Sequence, residues 1–269
     1  MLDTIVHRYL RIPYRLHVHV DQKALKPRAT VLLIHGIGNS GAAWDEIVKE
    51  LPDDIRIISI DLLGFGNSPA PRWMQYDIGI QAQSVATTLL RLNIRRPLII
   101  VGHSMGGLVA VEIAQRYPFI VKSLVLCSPP FYSYEERRRL LPNPNKILTD
   151  FYRLVIKKPA AVVNAAPFAS KLKVVGKAFD VTHDNVDIYM AALESSIIHQ
   201  TSLSDAKRLK KPLHILHGAL DPVVIKKNLD DVVAANDKAK LTVVPAGHEL
   251  LGPYVPAVVK VVKRVIERG

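Results

Sequence analysis

Residues 102–106 read Gly-His-Ser-Met-Gly and place Ser104 between glycines, directly after the apolar run Pro-Leu-Ile-Ile-Val. This G-x-S-x-G spacing is typical of a sharp strand-to-helix turn that lifts a serine oxygen out at the carboxyl end of a sheet. The serine of such a turn takes a strained backbone conformation, and the residues two positions to either side come too close to tolerate a side chain. The pattern therefore predicts that Ser104 is a nucleophile and that Gly102 and Gly106 are required by the turn.

A serine hydroxyl is a poor nucleophile, and it needs a histidine base that is oriented by an acid. With a serine of this kind the chain order is serine, acid, histidine. Asp221 follows the apolar run Leu-His-Ile-Leu, and His248 follows the apolar run Leu-Thr-Val-Val. The ends of parallel strands meet at one edge of a sheet, where such sheets bind ligands. We therefore expect Asp221 and His248 to complete a catalytic triad with Ser104.

The elements that must position these residues are buried strands alternating with helices. Short, nearly continuous apolar runs indicate strands that are covered on both faces, and residues 12–20 alternate like a half-buried strand. Helix-like patterns lie between them at 84–93 and 108–118, and a last amphipathic helix covers 255–269. The sequence thus predicts an α/β protein with a doubly wound, mostly parallel sheet, whose buried strands fall within 29–36, 55–66, 97–104, 121–130, 212–221 and 240–248.

The alternation of apolar strands and helices stops between residues 131 and 210, which show no clear apolar strand. We interpret 131–210 as a helical cap or lid, inserted after the strand that ends near Ser128. Residues 1–130 and 211–269 then form the core. Either an apolar substrate pocket or the cap's own core would account for its apolar residues, which include Phe151, Tyr152, Val162, Val163, Phe168, Phe179, Tyr189, Met190 and Leu193.

Five motifs, taken together and in order, resemble the α/β-hydrolase superfamily in its capped serine branch, over nearly the whole chain. The resemblance implies an oxyanion hole built from the backbone N–H groups of Ile37 and Met105. It also implies that Asp61 stabilises loops rather than taking part in catalysis. The motifs occupy 35–44, 61–68, 102–107, 217–224 and 246–249.

A serine at the turn disfavours the haloalkane dehalogenases and epoxide hydrolases of this superfamily, which carry aspartate there. The resemblance implies hydrolysis of carboxylic esters or thioesters through an acyl-enzyme on Ser104. One alternative is a carbon–carbon bond hydrolase of the meta-cleavage-product type, although those enzymes usually carry tryptophan where this chain has Glu249. A second alternative is an acyltransferase. A ligand sensor built on the same fold has no specific support in the sequence.

The net charge of +12 is spread over the chain, and the only basic triplet is Arg137, Arg138 and Arg139. No aromatic residues interleave with lysines as they do on a single-strand-binding surface, so we expect no nucleic-acid partner. The charge could help to attract an anionic substrate. The expected partner is a small, apolar acyl ester, and neither a cofactor nor a metal is expected. The sequence leaves the oligomeric state open.

The amino-terminal residues lack the pattern of a signal peptide, and no apolar run reaches the roughly 18–20 residues that a membrane-spanning helix needs. A single cysteine, Cys127, excludes an internal disulfide framework. These observations predict a cytoplasmic protein without stable membrane insertion.

Overall fold

The computed structural model of the chain describes residues 2–94, 97–133, 163–164, 180–182, 184–198 and 200–267. Within these ranges a seven-stranded sheet has the strand order β1-β3-β2-β4-β5-β6-β7. Strand β1 pairs antiparallel with β3, and every other pair is parallel. The strands are β1 (Val18–Gln22), β2 (Thr30–Ile34), β3 (Arg56–Ile60), β4 (Leu98–His103), β5 (Val121–Cys127), β6 (Leu213–Gly218) and β7 (Ala239–Val244).

Helices cover both faces of the sheet, as a doubly wound fold requires. One face packs against α3, α4, α6 and α7, and the other against α2 and α8. The helices are α1 (Leu2–Thr4), α2 (Asp45–Glu50), α3 (Ile78–Arg91), α4 (Met105–Arg116), α5 (Val186–Leu193), α6 (Ser202–Arg208), α7 (Lys226–Ala235) and α8 (Tyr254–Glu267). Single π-helical turns continue α1 through Ile5–Tyr9 and α5 through Glu194–Ile198. Short 3-10 turns occupy Gly41–Trp44 and Pro118–Ile120.

Burial on both faces explains the apolar runs of the central strands. All five residues of β2 are buried, and in β4 all six are buried. In the register of the sheet, Leu32 stands between Ile58 on one side and Ile100 on the other. Cys127, at the end of β5, is likewise buried, and burial raises the pKa of its thiol. The predicted α/β fold with a mostly parallel sheet is confirmed.

Two elements begin at other residues than the sequence pattern indicates. Strand β1 starts at Val18 rather than at residue 12, because the backbone before it bonds to groups outside the sheet ladder. The N–H of Leu16 donates to Thr88 Oγ1, and that of His17 donates to Ser68 Oγ. Helix α3 starts at Ile78, six residues before the expected start, where Asp77 caps it by accepting a hydrogen bond from the Ile80 N–H.

The described parts of residues 131–210 do not all lie over the same region of the protein. Residues of α5 pack over the loop that follows β3, where a Cβ added to Gly64 would meet Ile188 Cγ2 at 2.8 Å. The N–H of Asp180 donates to the carbonyl of Gly38 in the loop after β2. Helix α6 instead contacts α4 and α7, so it belongs to the helical layer beside the sheet. The division into a core and a single cap over 131–210 stays a prediction.

Several residues named for the cap lie outside the described residues, namely Arg137, Arg138, Arg139, Phe151, Tyr152, Val162, Phe168 and Phe179. Of the others, Tyr189 is buried, and Val163, Met190 and Leu193 are partly buried against the core. In the described ranges, no helix is both long enough and apolar enough to pass through a membrane.

Candidate active site

Ser104 occupies a single-residue turn between the last residue of β4 and the first residue of α4. Its backbone has φ 51° and ψ −121°, a conformation that residues other than glycine rarely adopt. A Cβ on Gly102 would lie 2.4 Å from the carbonyl oxygen of Gly106, and a Cβ on Gly106 would lie 2.3 Å from that of Ile34. These contacts confirm that the turn requires glycine at both positions, as the spacing predicts.

The structure brings Ser104, Asp221 and His248 together at the carboxyl edge of the sheet. They follow β4, β6 and β7 respectively. His248 Nε2 lies 3.0 Å from Ser104 Oγ, and His248 Nδ1 lies 2.8 Å from Asp221 Oδ2. Because a carboxylate only accepts hydrogen bonds, Nδ1 carries the proton and Nε2 is left to accept one from the serine. A hydroxyl, an imidazole and a carboxylate are thus connected in one line.

The surroundings of Asp221 and His248 favour a negative charge on the first and strong basicity of the second. Burial alone raises the pKa of Asp221, but hydrogen bonds from His248, from the Ser128 hydroxyl and from the Val223 N–H lower it to about 2. Burial alone lowers the pKa of His248, but the hydrogen bond and the charge of Asp221 raise it above its ordinary value. At neutral pH the pair therefore carries a carboxylate beside an imidazole whose affinity for a proton is increased.

Two buried hydroxyls behind Asp221 did not emerge from the sequence. Ser128 follows β5 directly, has φ 48° and lies with its Oγ 3.0 Å from the hydroxyl of Tyr254. The hydroxyl of Tyr254, the first residue of α8, donates its proton to the carbonyl of Leu216 at 2.9 Å. The position of Ser128 at the end of the strand beside β6 was a usable signal, whereas nothing in the local sequence marks Tyr254.

The two backbone N–H groups expected to hold an oxyanion belong to segments on either side of Ser104. Met105 begins α4, and the first N–H groups of a helix have no partner inside it. Ile37 follows Gly36, where an added Cβ would lie 3.1 Å from Ser104 Cβ, so this loop runs against the serine. The role of Ile37 and Met105 in holding an oxyanion stays a prediction.

Buried histidines fix the loops around the serine. His35 donates from Nδ1 to the Gly36 carbonyl at 2.7 Å and accepts at Nε2 from the Leu62 N–H at 2.8 Å. Burial lowers the pKa of His35 to about 4, so its ring stays neutral, as an accepting nitrogen requires. His103 Nε2 lies 2.9 Å from the His248 carbonyl oxygen and thereby connects β4 to the loop of the candidate base.

Asp61 is surrounded as a structural residue would be. Its carboxylate accepts hydrogen bonds from the N–H groups of Gly41 at 2.7 Å and Asn67 at 2.8 Å. Burial raises the pKa of Asp61, but these hydrogen bonds outweigh it and lower the pKa overall. The carboxylate therefore holds the loops after β2 and β3 in place and does not reach Ser104 or His248 by any described hydrogen bond.

Other features of the described residues lie apart from this site. A cavity of about 340 Å³ is lined by polar groups that include Asp77, Glu112 and Gln200, but by none of the three connected residues. In the part of the chain that the structure describes, no group of three His, Cys, Asp or Glu side chains is placed to hold a metal ion. Separately from these features, the contacts from Ser104 through His248 to Asp221 form an arrangement that suits nucleophilic attack with proton transfer.

Comparison of the sequence with known proteins adds a family match. A family model described as "alpha/beta hydrolase fold" matches residues 29–172, more than half of the chain. A relative from Arabidopsis thaliana, named "Probable lysophospholipase BODYGUARD 4", is 37% identical over 109 residues, which make up 40% of this chain and 26% of the relative. The chain matches less than a third of the length of this relative and of its paralogue BODYGUARD 5.

Solved structures share the architecture over nearly the whole chain. An esterase from Thermogutta terrifontis superposes with a TM-score of 0.72 at 22% identity, covering 94% of this chain and 93% of that one. An enol-lactonase from Burkholderia xenovorans LB400 gives a TM-score of 0.71 at 20% identity, covering 94% and 96%. At such identities these similarities establish the fold alone.

Proposed function

The chain belongs to the α/β-hydrolase family, and from this premise we propose that it is a serine hydrolase that cleaves carboxylic ester or thioester bonds. The observation that carries the proposal is the line of hydrogen bonds from Ser104 through His248 to Asp221, at 3.0 Å and 2.8 Å. The first distance lies within the range that proton transfer from a nucleophile to its base requires, and the second is a hydrogen bond that orients the base.

In the first half of the reaction, Ser104 Oγ attacks the acyl carbon and its proton passes to His248 Nε2. Asp221 holds the imidazole in the required tautomer and stabilises the imidazolium that forms. The N–H groups of Ile37 and Met105 stabilise the negative charge on the acyl oxygen, and losing one such donor typically lowers the rate by about 10²–10³-fold. His248 then gives the proton to the leaving alcohol or thiol, which departs and leaves an acyl-enzyme.

In the second half, a water molecule attacks the acyl carbon of the acyl-enzyme. His248 takes a proton from this water and returns it to Ser104 Oγ as the ester bond to the serine breaks. The products are the free acid and the regenerated serine, so no cofactor takes part in the balance. The raised pKa of His248 suits the uptake of both protons, because it increases the affinity of the imidazole for a proton.

The names of similar proteins support an ester as substrate. They describe a probable lysophospholipase, an esterase and an enol-lactonase, and each of these names denotes cleavage of a carboxylic ester bond. The buried Tyr189 of α5 supports an apolar wall beside the site. Burial raises the pKa of its hydroxyl, and the charge of Glu249, the neighbour of His248 in the chain, contributes further. We therefore propose a small acyl ester with an apolar acyl chain.

The test is turnover of p-nitrophenyl acetate, butyrate and octanoate by the purified protein. We expect many turnovers per molecule, and a loss of at least about 10⁴-fold in kcat in Ser104→Ala. The matched control is Ser204→Ala, an exposed serine on α6, which should keep the rate of the unmodified protein. The preference among chain lengths measures how much acyl chain the site accepts.

Reaction with a fluorophosphonate separates the outcomes in which no ester is turned over. Labelling of Ser104 without turnover would retain the nucleophile and refute ester hydrolysis, in favour of carbon–carbon cleavage or acyl transfer. If Ser104 were not labelled and Ser104→Ala changed nothing, the whole proposal would be wrong.

A further inference from the structure

Four large apolar side chains are exposed within one short stretch before β1. They belong to Ile5, Tyr9, Leu10 and Ile12, which we call the amino-terminal patch, and they are four of the nine strongly exposed large hydrophobic residues in the described ranges. Tyr9 is 72% exposed and Leu10 63%. Scattered apolar residues are normal on protein surfaces, whereas a cluster of this kind marks an interaction site.

The patch is held on the protein by contacts on its inner side. The ring of His7 stacks on the buried ring of Tyr14 with centroids 3.6 Å apart, and the Tyr14 hydroxyl donates to Asp3. The guanidinium of Arg8 lies 5.8 Å above the ring of Trp73. The exposed side chains therefore project from an ordered support, and Ile5 and Tyr9, four residues apart in one helical turn, share a side of it.

Positive charges surround the patch. Arg8, Arg11 and Arg15 come from the same stretch and are exposed, and Arg72 is exposed on the loop that carries Trp73. The described residues before β1 contain a single carboxylate, Asp3. Guanidinium groups donate to phosphate oxygens in pairs, and basic residues near an anionic lipid surface are attracted to it.

The patch lies at the same edge of the sheet as the candidate active site. Strand β1 runs antiparallel to β3, and its first residue, Val18, pairs with Ile60 at the carboxyl end of β3. The chain before Val18 therefore emerges at the edge where Ser104 follows β4 and His248 follows β7. The contact of Arg8 with Trp73 keeps the patch beside the loop that follows β3 at this edge.

We propose that the amino-terminal patch docks the protein on an anionic lipid surface. Apolar side chains among arginines, with a tyrosine whose ring is apolar and whose hydroxyl is polar, suit the boundary between headgroups and acyl chains. A second copy of the chain fits less well, because a two-fold contact would bring the same arginines against each other. Resting on the proposed function, this docking would let the site take its acyl ester from the lipid surface.

Vesicle binding tests the proposal independently of hydrolysis. The protein is sedimented with vesicles of ether-linked phosphatidylcholine, with or without ether-linked phosphatidylglycerol, which contain no carboxylic ester. The test variant is Tyr9→Ser with Leu10→Ser. The matched control is Leu25→Ser with Phe119→Ser, which removes side chains that are 98% and 91% exposed near the opposite edge of the sheet.

We expect the protein to bind anionic vesicles at least about tenfold more tightly than neutral ones. The affinity for anionic vesicles should fall about tenfold in the test variant and stay unchanged in the control. Hydrolysis of dissolved p-nitrophenyl butyrate should be unchanged in both variants. No vesicle binding, equal binding to both vesicles, or equal loss in test and control would each overturn the proposal. A dimer in solution that the test variant alone dissociates would also overturn it. Binding without any hydrolysis would refute the proposed function and leave the patch as a lipid-binding surface.

Discussion

The carboxylate of Asp221 is oriented from several sides at once. Its Oδ1 accepts from the N–H groups of Val223 at 2.8 Å and Val224 at 3.1 Å, while Oδ2 faces His248. The side chain is completely buried. A carboxylate so fixed cannot rotate away from the imidazole, and it stays ionised well below the pH at which an exposed aspartate is protonated.

The pH dependence of the reaction follows from the pKa of His248. Because its folded pKa lies above the ordinary 6.5, the imidazole is protonated, and unable to act as base, at pH values where a free histidine is still neutral. We expect kcat/KM to fall towards acid with a midpoint above 6.5, in a titration from about pH 5 to 9. Asp221→Asn should lower kcat by about 10⁴-fold and move the midpoint to lower pH.

The control for this titration is Asp230→Asn. Asp230 is an exposed aspartate that pairs only with Lys226 among the described contacts, so its variant should keep the midpoint of the unmodified protein. If the midpoint of the fall in kcat/KM towards acid pH were the same in Asp221→Asn as in the unmodified protein, the assignment of Asp221 as the partner of His248 would be contradicted.

Ser128 should act on stability through the charge of Asp221. The folded pKa of this carboxyl is depressed from 3.8 to about 2, so it stabilises the fold above the unfolded pKa and loses this effect as pH falls through the folded pKa. Removing one donor in Ser128→Ala should raise the folded pKa and lower the free energy of unfolding by about 1–3 kcal/mol at pH 7.

Urea unfolding at pH 7 and near pH 3 measures this effect. The loss in Ser128→Ala should be smaller at the lower pH, because more of the carboxyl is then protonated. Ser204→Ala is again the control, since its hydroxyl is exposed and bonds to the Thr201 carbonyl. A loss of equal size at both pH values would assign Ser128 to packing alone.

At the scale of residues, spacing alone was enough to select Ser104, Asp221 and His248, because each follows an apolar strand at the same edge. Spacing marks Ser128 as the residue after a strand, but it does not show that this hydroxyl lies at Asp221, and it gives no sign of Tyr254. Their positions depend on the pairing of β5 with β6 and on where α8 docks, which are long-range contacts that no local pattern records.

Among the elements, the turn at Ser104 shows how tightly one strand and one helix approach each other. The glycines on either side of the serine face backbone carbonyls rather than flexible side chains. A substitution there cannot be relieved by a rotamer change. At Gly102 the helix α4 would have to move away from β4, and at Gly106 it would have to move away from the end of β2.

We expect Gly106→Ala to lower the free energy of unfolding by about 3 kcal/mol or more, since its Cβ would lie 2.3 Å from a carbonyl oxygen. The control is Gly247→Ala, where an added Cβ meets nothing within 4 Å. That variant should stay within about 1 kcal/mol of the unmodified protein. Both are measured by urea unfolding followed by circular dichroism, and similar values for the two variants would contradict the close approach at the turn.

The sequence located the strands and the helices α3, α4 and α8, but not all of their boundaries, and it did not single out α2, α6 or α7. Helix α3 is capped by Asp77, and a capping residue seven positions before the apolar pattern at 84–93 is easy to overlook. The alternation over 12–20 predicts a strand, yet its first half buries Tyr14 and Leu16 without joining the sheet. Alternation of apolar and polar residues indicates which side chains are buried. It does not indicate with which groups the backbone N–H and C=O groups form hydrogen bonds.

For the whole molecule, the charge of +12 should influence which esters reach the site. A positive field raises the local concentration of anionic molecules, and salt screens it. We expect kcat/KM for a carboxylate-bearing p-nitrophenyl ester to fall about three- to tenfold between low salt and about 0.5 M NaCl, while that for the neutral butyrate stays nearly constant. Equal salt dependence of the two esters would rule out steering by the net charge.

The overall fold was predictable because five motifs fall in the order that the family requires, and a family match over residues 29–172 agrees with it. The amino-terminal patch was not predictable. In the sequence its apolar residues cannot be told from ordinary core residues. Only the direction of β1 in the structure shows at which edge of the sheet they lie.

The connection between Ser104 and His248 joins residues 144 positions apart in the chain. Bringing residues of such sequence separation together costs loop-closure entropy, which the other contacts of the sheet must offset. His248 follows β7, so it can lie beside Ser104 only after β7 has paired with β6 at one end of the sheet. The three residues can therefore be connected only once the whole sheet has formed. We expect activity regained during refolding to report the completed sheet rather than its first contacts.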